Sequence, residues 1–417
     1  MVQLNDDCFS VGNALMSVEE AIALITERLP VVAGLETVTL MEADGRIAAT
    51  NCFAQINLPP FANSAVDGYA VSHLDLAPEG ETTLPVRGRL AAGAKEPIAV
   101  VGTAVRIFTG APMPYGADTV FMQEDVRREG AMVVLPPGLR KGSNMRLAGE
   151  DIVRGGLIIP EGRRLRPQDV SLAAATGLEL IPVRRRLRVA TFSTGDELIE
   201  PGMPLRQGSI YNSNSVMLKA FLARQGAIVT SFGILRDNTE AVSRRLAAAA
   251  ADHDLILTTG GVSTGEEDHV KAAIEASGRM MFWRLAIKPG RPLAMGVVKG
   301  TPIVGLPGNP AAVYVTLALF VRPLLARLGG ASFKPPEAQL IRSKFKASKR
   351  AGRREYVRVS ICQGRDGISE GKKFPKEGAA LLTSLTESDG LAELGNDVTS
   401  VRPGDMVAFY PHELLLA

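Results

Sequence analysis

Apolar residues recur along this chain in two rhythms. "SVEEAIALITERLP" (residues 17–30) carries them at helical period behind Ser17 and Glu20, which stand in capping-box spacing, and Pro30 ends the run. From about residue 51 to 146 the text changes. Short apolar segments such as "TLPVRGRL", "TAVRIFTG" and "DTVFMQEDV" alternate with Gly and Pro turns, which predicts a small β-rich domain. "GEDIVRGGLIIPEGRRLRPQDVSLAAATG" then predicts a strand pair and a helix begun at Pro167 and ended at Gly177, with a linker near "IPVRRR".

Between Leu187 and Gly330 strands and helices alternate. "LRVATFS", "AIVTSFGIL", "DLILTT" and "TPIVGLPG" read as buried strands. "NSNSVMLKAFLARQG", "NTEAVSRRLAAAAADH", "EEDHVKAAIEASG" and "NPAAVYVTLALFVRPLLARLGG" read as helices, the last with Asn309 as cap, Pro310 in its first turn and a double-glycine stop. Such alternation predicts right-handed βαβ units and a mostly parallel sheet under helices. After "FKPPEAQ" strands and turns return. The predicted organisation is an N-terminal linker region (10–50 and 147–186), an inserted β-rich domain (51–146), an α/β domain (187–332) and a C-terminal β domain (335–417).

Composition narrows the function classes. The 417 residues are 46% hydrophobic and 22% charged, a globular balance with ample core material. Lys plus Arg (47) nearly equals Asp plus Glu (44), which argues against a nucleic-acid partner. The arginines at 184–188 and 350–354 read as solvated strand ends and loops. Cys8, Cys52 and Cys362 are odd in number and widely spaced, so neither a disulfide framework nor a zinc site is expected. The opening "MVQLNDDCFSVG" lacks a basic region followed by an apolar one, and the longest apolar run, Ala311–Val321, falls short of a membrane span. A soluble cytoplasmic protein is the expectation.

In an open parallel sheet, ligands bind beyond the carboxyl ends of the strands. After "LRVATFS" come Ser193, Thr194, Gly195, Asp196 and Glu197; after "AIVTSFGIL" comes Asp237; after "DLILTT" come Gly260, Gly261, Ser263 and the acids ending in Asp268. "FWRLAIKPGRP" supplies Lys288 and Arg291. Carboxylates from three loops converging on one edge call for a cation, and Mg²⁺ takes one or two carboxylates and completes its shell with water and phosphate. "TTGG" and "LPGNP" offer bare backbone N–H groups to anions at the same edge. Read alone, each piece serves equally as a cap or a turn; their convergence is what points to a metal seat facing a phosphorylated ligand. His73, His253, His269 and His412 are scattered, and no Ser-His-Asp order suggests a covalent nucleophile.

"PPFANSAVDGYAV", "IFTGAPMPYGADTVFMQED", "RLAGEDI", "FSTGDEL", "LTTGGVSTGEED", "AIKPGRP" and "GLPGNP" occur in one order along nearly the whole chain. In these motifs the sequence resembles the molybdopterin molybdenumtransferase family, MoeA, to which the E domain of gephyrin is also similar. The resemblance implies a multidomain α/β plus β protein and a homodimer built through the linker region. Its central three-layer α/β domain would carry a mostly parallel, MogA-like sheet, beside an inserted β-rich domain and a C-terminal β-barrel-like domain. It implies insertion of molybdate into adenylylated molybdopterin, with Mg²⁺ as cofactor and release of AMP. The pathway's adenylyltransferase and the molybdoenzyme acceptors are the further implied partners, with no nucleic acid and no membrane.

Carried over by position, the resemblance puts Glu197, Asp237 and Asp268 around the metal. It places Asp67 and Thr109 in the β domain that reaches the partner subunit's cleft, and Asp151 at the hinge. Lys288 and Arg291 would meet molybdate and phosphate, with Arg358 contributing from the C-terminal domain. Ser193, Thr194, Gly195, Gly260, Gly261, Ser263, Pro289, Pro307 and Asn309 would line the substrate path. Two positions depart from the pattern. Arg284 stands where the family often has Lys, and Ala312 replaces a hydroxyl residue, which bears on oxyanion affinity and on molybdate against tungstate. An adenylyltransferase acting one step earlier, or a scaffold that binds partner peptides as gephyrin does, are the rival readings.

Asp268 opens the segment "DHVKAAIEASG", where a capping role and a metal-binding role predict different outcomes. A helix N-terminus stabilises a carboxylate by about 0.3–1 kcal/mol, and Asn caps as well as Asp. Asp268→Asn is therefore expected to melt like the parent yet lose most Mg²⁺-dependent AMP release, with partial rescue at high Mg²⁺. A melting curve and a Mg²⁺ titration together decide it, since full activity at low Mg²⁺ would reduce Asp268 to a cap.

Overall fold

The computed structural model describes residues 15–94, 98–236, 239–260, 278–290 and 292–416. Its centre is a seven-stranded sheet of β1 (Leu15–Met16), β2 (Arg188–Thr194), β3 (Ile228–Leu235), β4 (Leu255–Thr259), β5 (Gly278–Leu285), β6 (Pro292–Val298) and β7 (Thr301–Leu306). The order is β1-β5-β6-β7-β4-β2-β3. β2, β3, β4 and β7 run parallel, as the alternating pattern predicts. β5 and β6 add an antiparallel ribbon that the sequence reading does not resolve, and β6 closes it against β7.

Successive residues of these strands serve opposite cores, as a period of two requires. Val189, Leu255, Leu257, Leu293, Met295 and Val304 join one buried cluster, while Ala190, Ile256, Ala294 and Ile303 join another. Helices cover both faces: α3 (Ser213–Arg224) on the first, α4 (Thr239–Asp252) on the second. Strands buried on both sides need near-continuous apolar sequence, which is why "LILTT" is buried throughout. The helix expected at "EEDHVKAAIEASG" lies outside the described residues.

The last helical run is α5 (Pro310–Thr316), a π-turn segment (Leu317–Val321) and α6 (Arg322–Gly329). Its 20 residues are long and apolar enough to cross a membrane, beyond the Ala311–Val321 run noted in the sequence, but 83% of the window is buried inside the protein. It is a core helix. Against it packs α1 (Val18–Arg28), whose capping box forms as expected: Ser17 Oγ accepts from Glu20 N–H and Glu20 Oε2 accepts from Ser17 N–H at 2.7 Å. Val18, Ala21 and Ile25 enter the α/β core, and Val32 and Ala33 N–H groups bond to Leu328 C=O. Residues 15–33 thus pack with the α/β domain, where the sequence grouped 10–50 with the linker.

The linker region is built from two separated segments. Leu35–Thr39 pairs antiparallel with Leu180–Arg184, Cys52–Phe53 with Leu157–Ile159, and one core draws on Ala43–Ala54 and Ile158–Val183. α2 (Pro167–Ala175) packs beside it. The β domain leaves this region and returns to it at one neck, where Leu58 bridges Ile152 and Asn63–Ser64 pairs with Met145–Arg146. Arginines 184 and 185 are half-buried and ion-paired. Arg184 pairs with Glu161, and Arg185 makes two 2.9 Å bonds to Asp254, whose side chain is 1% exposed and also accepts from Arg188 N–H. Arg185 clamps the linker to the amino end of the sheet.

Five C-terminal strands (Gln339–Ser343, Arg354–Gln363, Ser369–Lys373, Gly390–Leu394 and Met406–Pro411) close into a barrel. The Tyr314 hydroxyl and His412 tie this barrel to α5. Tyr314 Oη is 2.6 Å from His412 Nδ1, and His412 Nε2 is 3.0 Å from Ser388 Oγ, which donates to Ser384 C=O. A neutral imidazole serves that chain by accepting from the tyrosine and donating to the serine. Burial lowers the His412 pKa, with Asp389 opposing. A lowered folded-state pKa means the unfolded chain binds the proton more readily, so stability is lost as pH falls below about 6.5. Thermal melts from pH 7.5 to 5.5 should show a decline that His412→Gln abolishes.

Candidate functional site

β2 and β4 end side by side, with Ser193 opposite Thr259 and the Ser193 and Thr194 side chains buried. The turns beyond them touch. A Cβ on Gly260, whose φ is +80°, would sit 2.4 Å from Thr194 C=O, so only glycine lets the two loops approach this closely. Gly195, at φ +138°, is crossed by the Glu197 carboxylate, whose oxygens lie 2.5 and 2.7 Å from where a Cβ would stand. Glu197 is exposed and has no cation partner among the described residues. An unpaired carboxylate folded over a glycine turn at the strand end is the hard oxygen donor that Mg²⁺ prefers, and the site fits that ion to this extent. Asp237, Gly261, Ser263, Asp268 and Arg291 lie outside the described residues, and of Arg284 only the backbone in β5 is described.

β7 runs directly into Pro307-Gly308-Asn309 and then α5. Asn309 C=O accepts from Ala312 and Val313 N–H, and Pro310 takes the first helical position, where its missing N–H costs nothing. Gly308 C=O is held by Asn214 Nδ2 at 2.7 Å, so the first turn of α3 anchors this loop. Asn214 is legible in the sequence only as part of a helix start.

Ala311 N–H bonds to Ala379 C=O, and this bond joins the sheet edge to a second feature. A cleft of about 900 Å³ lies against the barrel, lined by Lys288, Pro289, Lys346, Arg358, Lys373 and Lys376 among others. The two acids lining it, Glu355 and Glu377, are both paired to lysines, to Lys288 at 3.1 Å and to Lys373. The Glu377 carboxyl is held below its usual range by Lys373 first, with Lys288 and Arg358 adding to it. Arg358 is fixed by Ser384 Oγ at 3.2 Å and Gly378 C=O at 3.0 Å. Lys288 is positioned by its backbone: Ile287–Lys288 pairs in parallel with Arg354–Glu355 of the barrel. Gly290 follows at φ +105°, with Thr316 Oγ1 only 2.9 Å from a would-be Cβ. The surplus of cations suits an oxyanion.

Asp67 and Thr109 meet each other in the β domain. Thr109 N–H and O–H both donate to Asp67 Oδ1 at 2.8 Å, which lowers the Asp67 pKa, and Arg106 contributes. Arg106 is itself stacked over Phe108 and Tyr69 and donates to Gly68 C=O. Asp151 is exposed at the neck, its N–H bonded to Leu58 C=O. Among the described residues no hydrogen bond or ion pair joins Asp67, Thr109 or Asp151 to the sheet edge or to the cleft within one chain.

The geometry defines a class: a multidomain α/β plus β protein in which the carboxyl end of a mostly parallel sheet adjoins a basic cleft. Comparison with known proteins gives that class a family. Residues 16–177 match the MoeA N-terminal region (domains I and II), 190–327 a probable molybdopterin binding domain, and 341–412 the MoeA C-terminal region (domain IV). The chain is 35% identical over 408 residues to a molybdopterin molybdenumtransferase of Haemophilus influenzae, covering 96% of this chain and 100% of that protein. Molybdopterin molybdenumtransferase 2 of Mycobacterium tuberculosis is 34% identical, over 94% of this chain and 98% of its own length. The crystal structure of a molybdopterin biosynthesis MoeA protein from Pyrococcus horikoshii OT3 superposes with a TM-score of 0.80 at 29% identity, over 95% of this chain and 100% of that one. The chain belongs to the MoeA family of molybdopterin molybdenumtransferases, transferases of molybdenum cofactor biosynthesis.

Two glycines in the site separate packing from ligand approach. Gly260→Ala should lower unfolding free energy by about 2–3 kcal/mol, from the left-handed backbone and the Thr194 clash together. Gly308 has nothing within 4 Å of a would-be Cβ, so Gly308→Ala should unfold at the parent's urea midpoint. Urea titrations of the two variants beside the parent provide the comparison.

Proposed function

We propose that the protein transfers molybdate onto adenylylated molybdopterin with release of AMP, using Mg²⁺ and working as a homodimer. The observation that carries this reading is the join between the two features. The loop after β7 borders the sheet edge holding Glu197, and its Ala311 N–H bonds directly to the cleft that holds Lys288 and Arg358.

Molybdate is a tetrahedral dianion, and the dithiolene sulfurs must replace two of its oxygens. Lys288 and Arg358 would hold the anion from two sides. Arg358 is pre-set by Ser384 and Gly378, so it offers its remaining N–H groups without reorganising. The Gly308–Asn309 turn ahead of the helical run would present its backbone N–H groups to the phosphates. Glu197, with Asp237 and Asp268, would hold the magnesium, which when bound offsets charge on the pyrophosphate and its leaving AMP. No residue needs to form a covalent bond to substrate; positioning and electrostatics suffice. Asp67 and Thr109 would act in the partner's cleft, because within one chain they stand apart from the other site residues. Cys52 and Cys362 are free thiols, which accords with a reducing cytoplasm. The adenylyltransferase of the pathway would supply the substrate, and molybdoenzymes would receive the product.

Reconstitution with adenylylated molybdopterin, molybdate and Mg²⁺, following AMP and cofactor together, tests the whole reading. Absence of both products would sink it. Within that assay Lys288→Ala should raise the molybdate requirement about tenfold while leaving pterin-nucleotide binding near the parent's. Equal loss for both ligands would assign the lysine to the phosphates instead.

A further inference from the structure

We propose that Glu355 competes with the substrate oxyanion for Lys288, and that Arg353 is what allows the lysine to be released. The inference rests on the reading of the basic cleft as the oxyanion site.

Glu355 is gripped from two directions. Oε2 accepts from Lys288 Nζ at 3.1 Å, and Oε1 accepts from Arg353 Nε at 3.0 Å and Nη2 at 2.8 Å. The three side chains differ sharply in depth: Glu355 is 11% exposed, Arg353 36% and Lys288 56%. Lys288 and Glu355 line the cleft, whereas Arg353 does not. The carboxylate is the deepest of the three, with the ammonium on its cleft side and the guanidinium outside the cleft.

A carboxylate this deep cannot give up its last cation without a large penalty. Here it does not have to. Two charge-assisted bonds from one guanidinium are the stronger hold, so Lys288 is the partner that Glu355 can lose. The lysine backbone is pinned opposite Glu355 by the strand pairing, so only its stem has to turn toward an anion in the cleft. The negative charge behind Lys288 weakens its hold on any anion in front. For a substrate that must leave the cleft for the pterin, that weakening is useful: uniform tight binding lowers KM without raising kcat.

The test is calorimetric titration of the full-length dimer with molybdate alone at fixed pH and ionic strength, with KM for molybdate measured in parallel. Glu355→Gln should bind molybdate about tenfold tighter and lower KM, without raising kcat. Arg353→Gln should bind about tenfold weaker, because Glu355 then keeps Lys288 as its remaining hydrogen-bonded cation. In the Glu355→Gln background, Arg353→Gln should have almost no effect. Unchanged or weaker binding by Glu355→Gln overturns the proposal. So does an Arg353→Gln effect that persists in the double variant, which would mark simple long-range charge. Glu355→Asp, which keeps a carboxylate for Arg353 but draws it back from Lys288, should also tighten binding and serves if the glutamine variant does not fold. Lys288→Ala separates the two levels. Parent-like molybdate binding there removes the oxyanion reading of the cleft; lost binding there with an unaffected Glu355→Gln removes only the competitor role.

Discussion

The parallel pairing of Ile287–Lys288 with Arg354–Glu355 is the contact on which the site depends. Two residues of the α/β domain serve as an edge strand of the C-terminal barrel, so a loop that would otherwise drift between two domains shares a hydrogen-bond ladder with one of them. The Arg354 N–H bond to Ala286 C=O, at 2.7 Å, extends the ladder. Once Lys288 is fixed this way, the cleft has a floor from one domain and walls from another. Tyr356, Leu391 and Leu415 of the C-terminal region enter the α/β core behind it. Relative motion of the two domains would have to break main-chain bonds and open that core together.

The same arrangement leaves a surplus of cations in the cleft and an exposed carboxylate, Glu197, at the end of β2. Carboxylates follow the parallel strands, while lysines and arginines come from the barrel and from the edge loop. The Pro307–Asn309 loop, held by Asn214, is the neutral bridge between the two zones. Its backbone groups carry fixed partial charges that require no counter-ion and add no self-repulsion.

Local signals in the sequence carried most of the fold. The Ser17–Glu20 box, the helix starts at Pro167 and Pro310, and the apolar runs of β2, β4 and β7 are each written in a few neighbouring residues, and the structure realises them. What escaped was set by distant partners. Arg185 and Asp254 are 69 positions apart, Lys288 and Glu355 are 67, and Asn214 and Gly308 are 94. No periodicity links such pairs, so the arginine run at 184–188 read as solvent-facing and Glu355 went unmarked. α1 reads as a capped amphipathic helix, but the surface it covers is chosen by the fold. Among the site residues, the strand-end motifs and the "AIKPG" and "REYVR" segments were recognisable, whereas the bond between Asp67 and Thr109 joins two motifs that chain order alone does not connect.

The narrow neck of the β domain has a consequence for how such a chain can change. Leu58 and Ile152 lie side by side, as do Asn63 and Arg146, so the whole insertion leaves and re-enters the linker at neighbouring points. Insertions with adjacent ends are the kind that folds accept, exchange or lose without redrawing the host. The β domain is therefore a cassette. Its loops and surface charge away from Asp67 and Thr109 are free to diverge at their own pace, because the strands of the linker close beneath it.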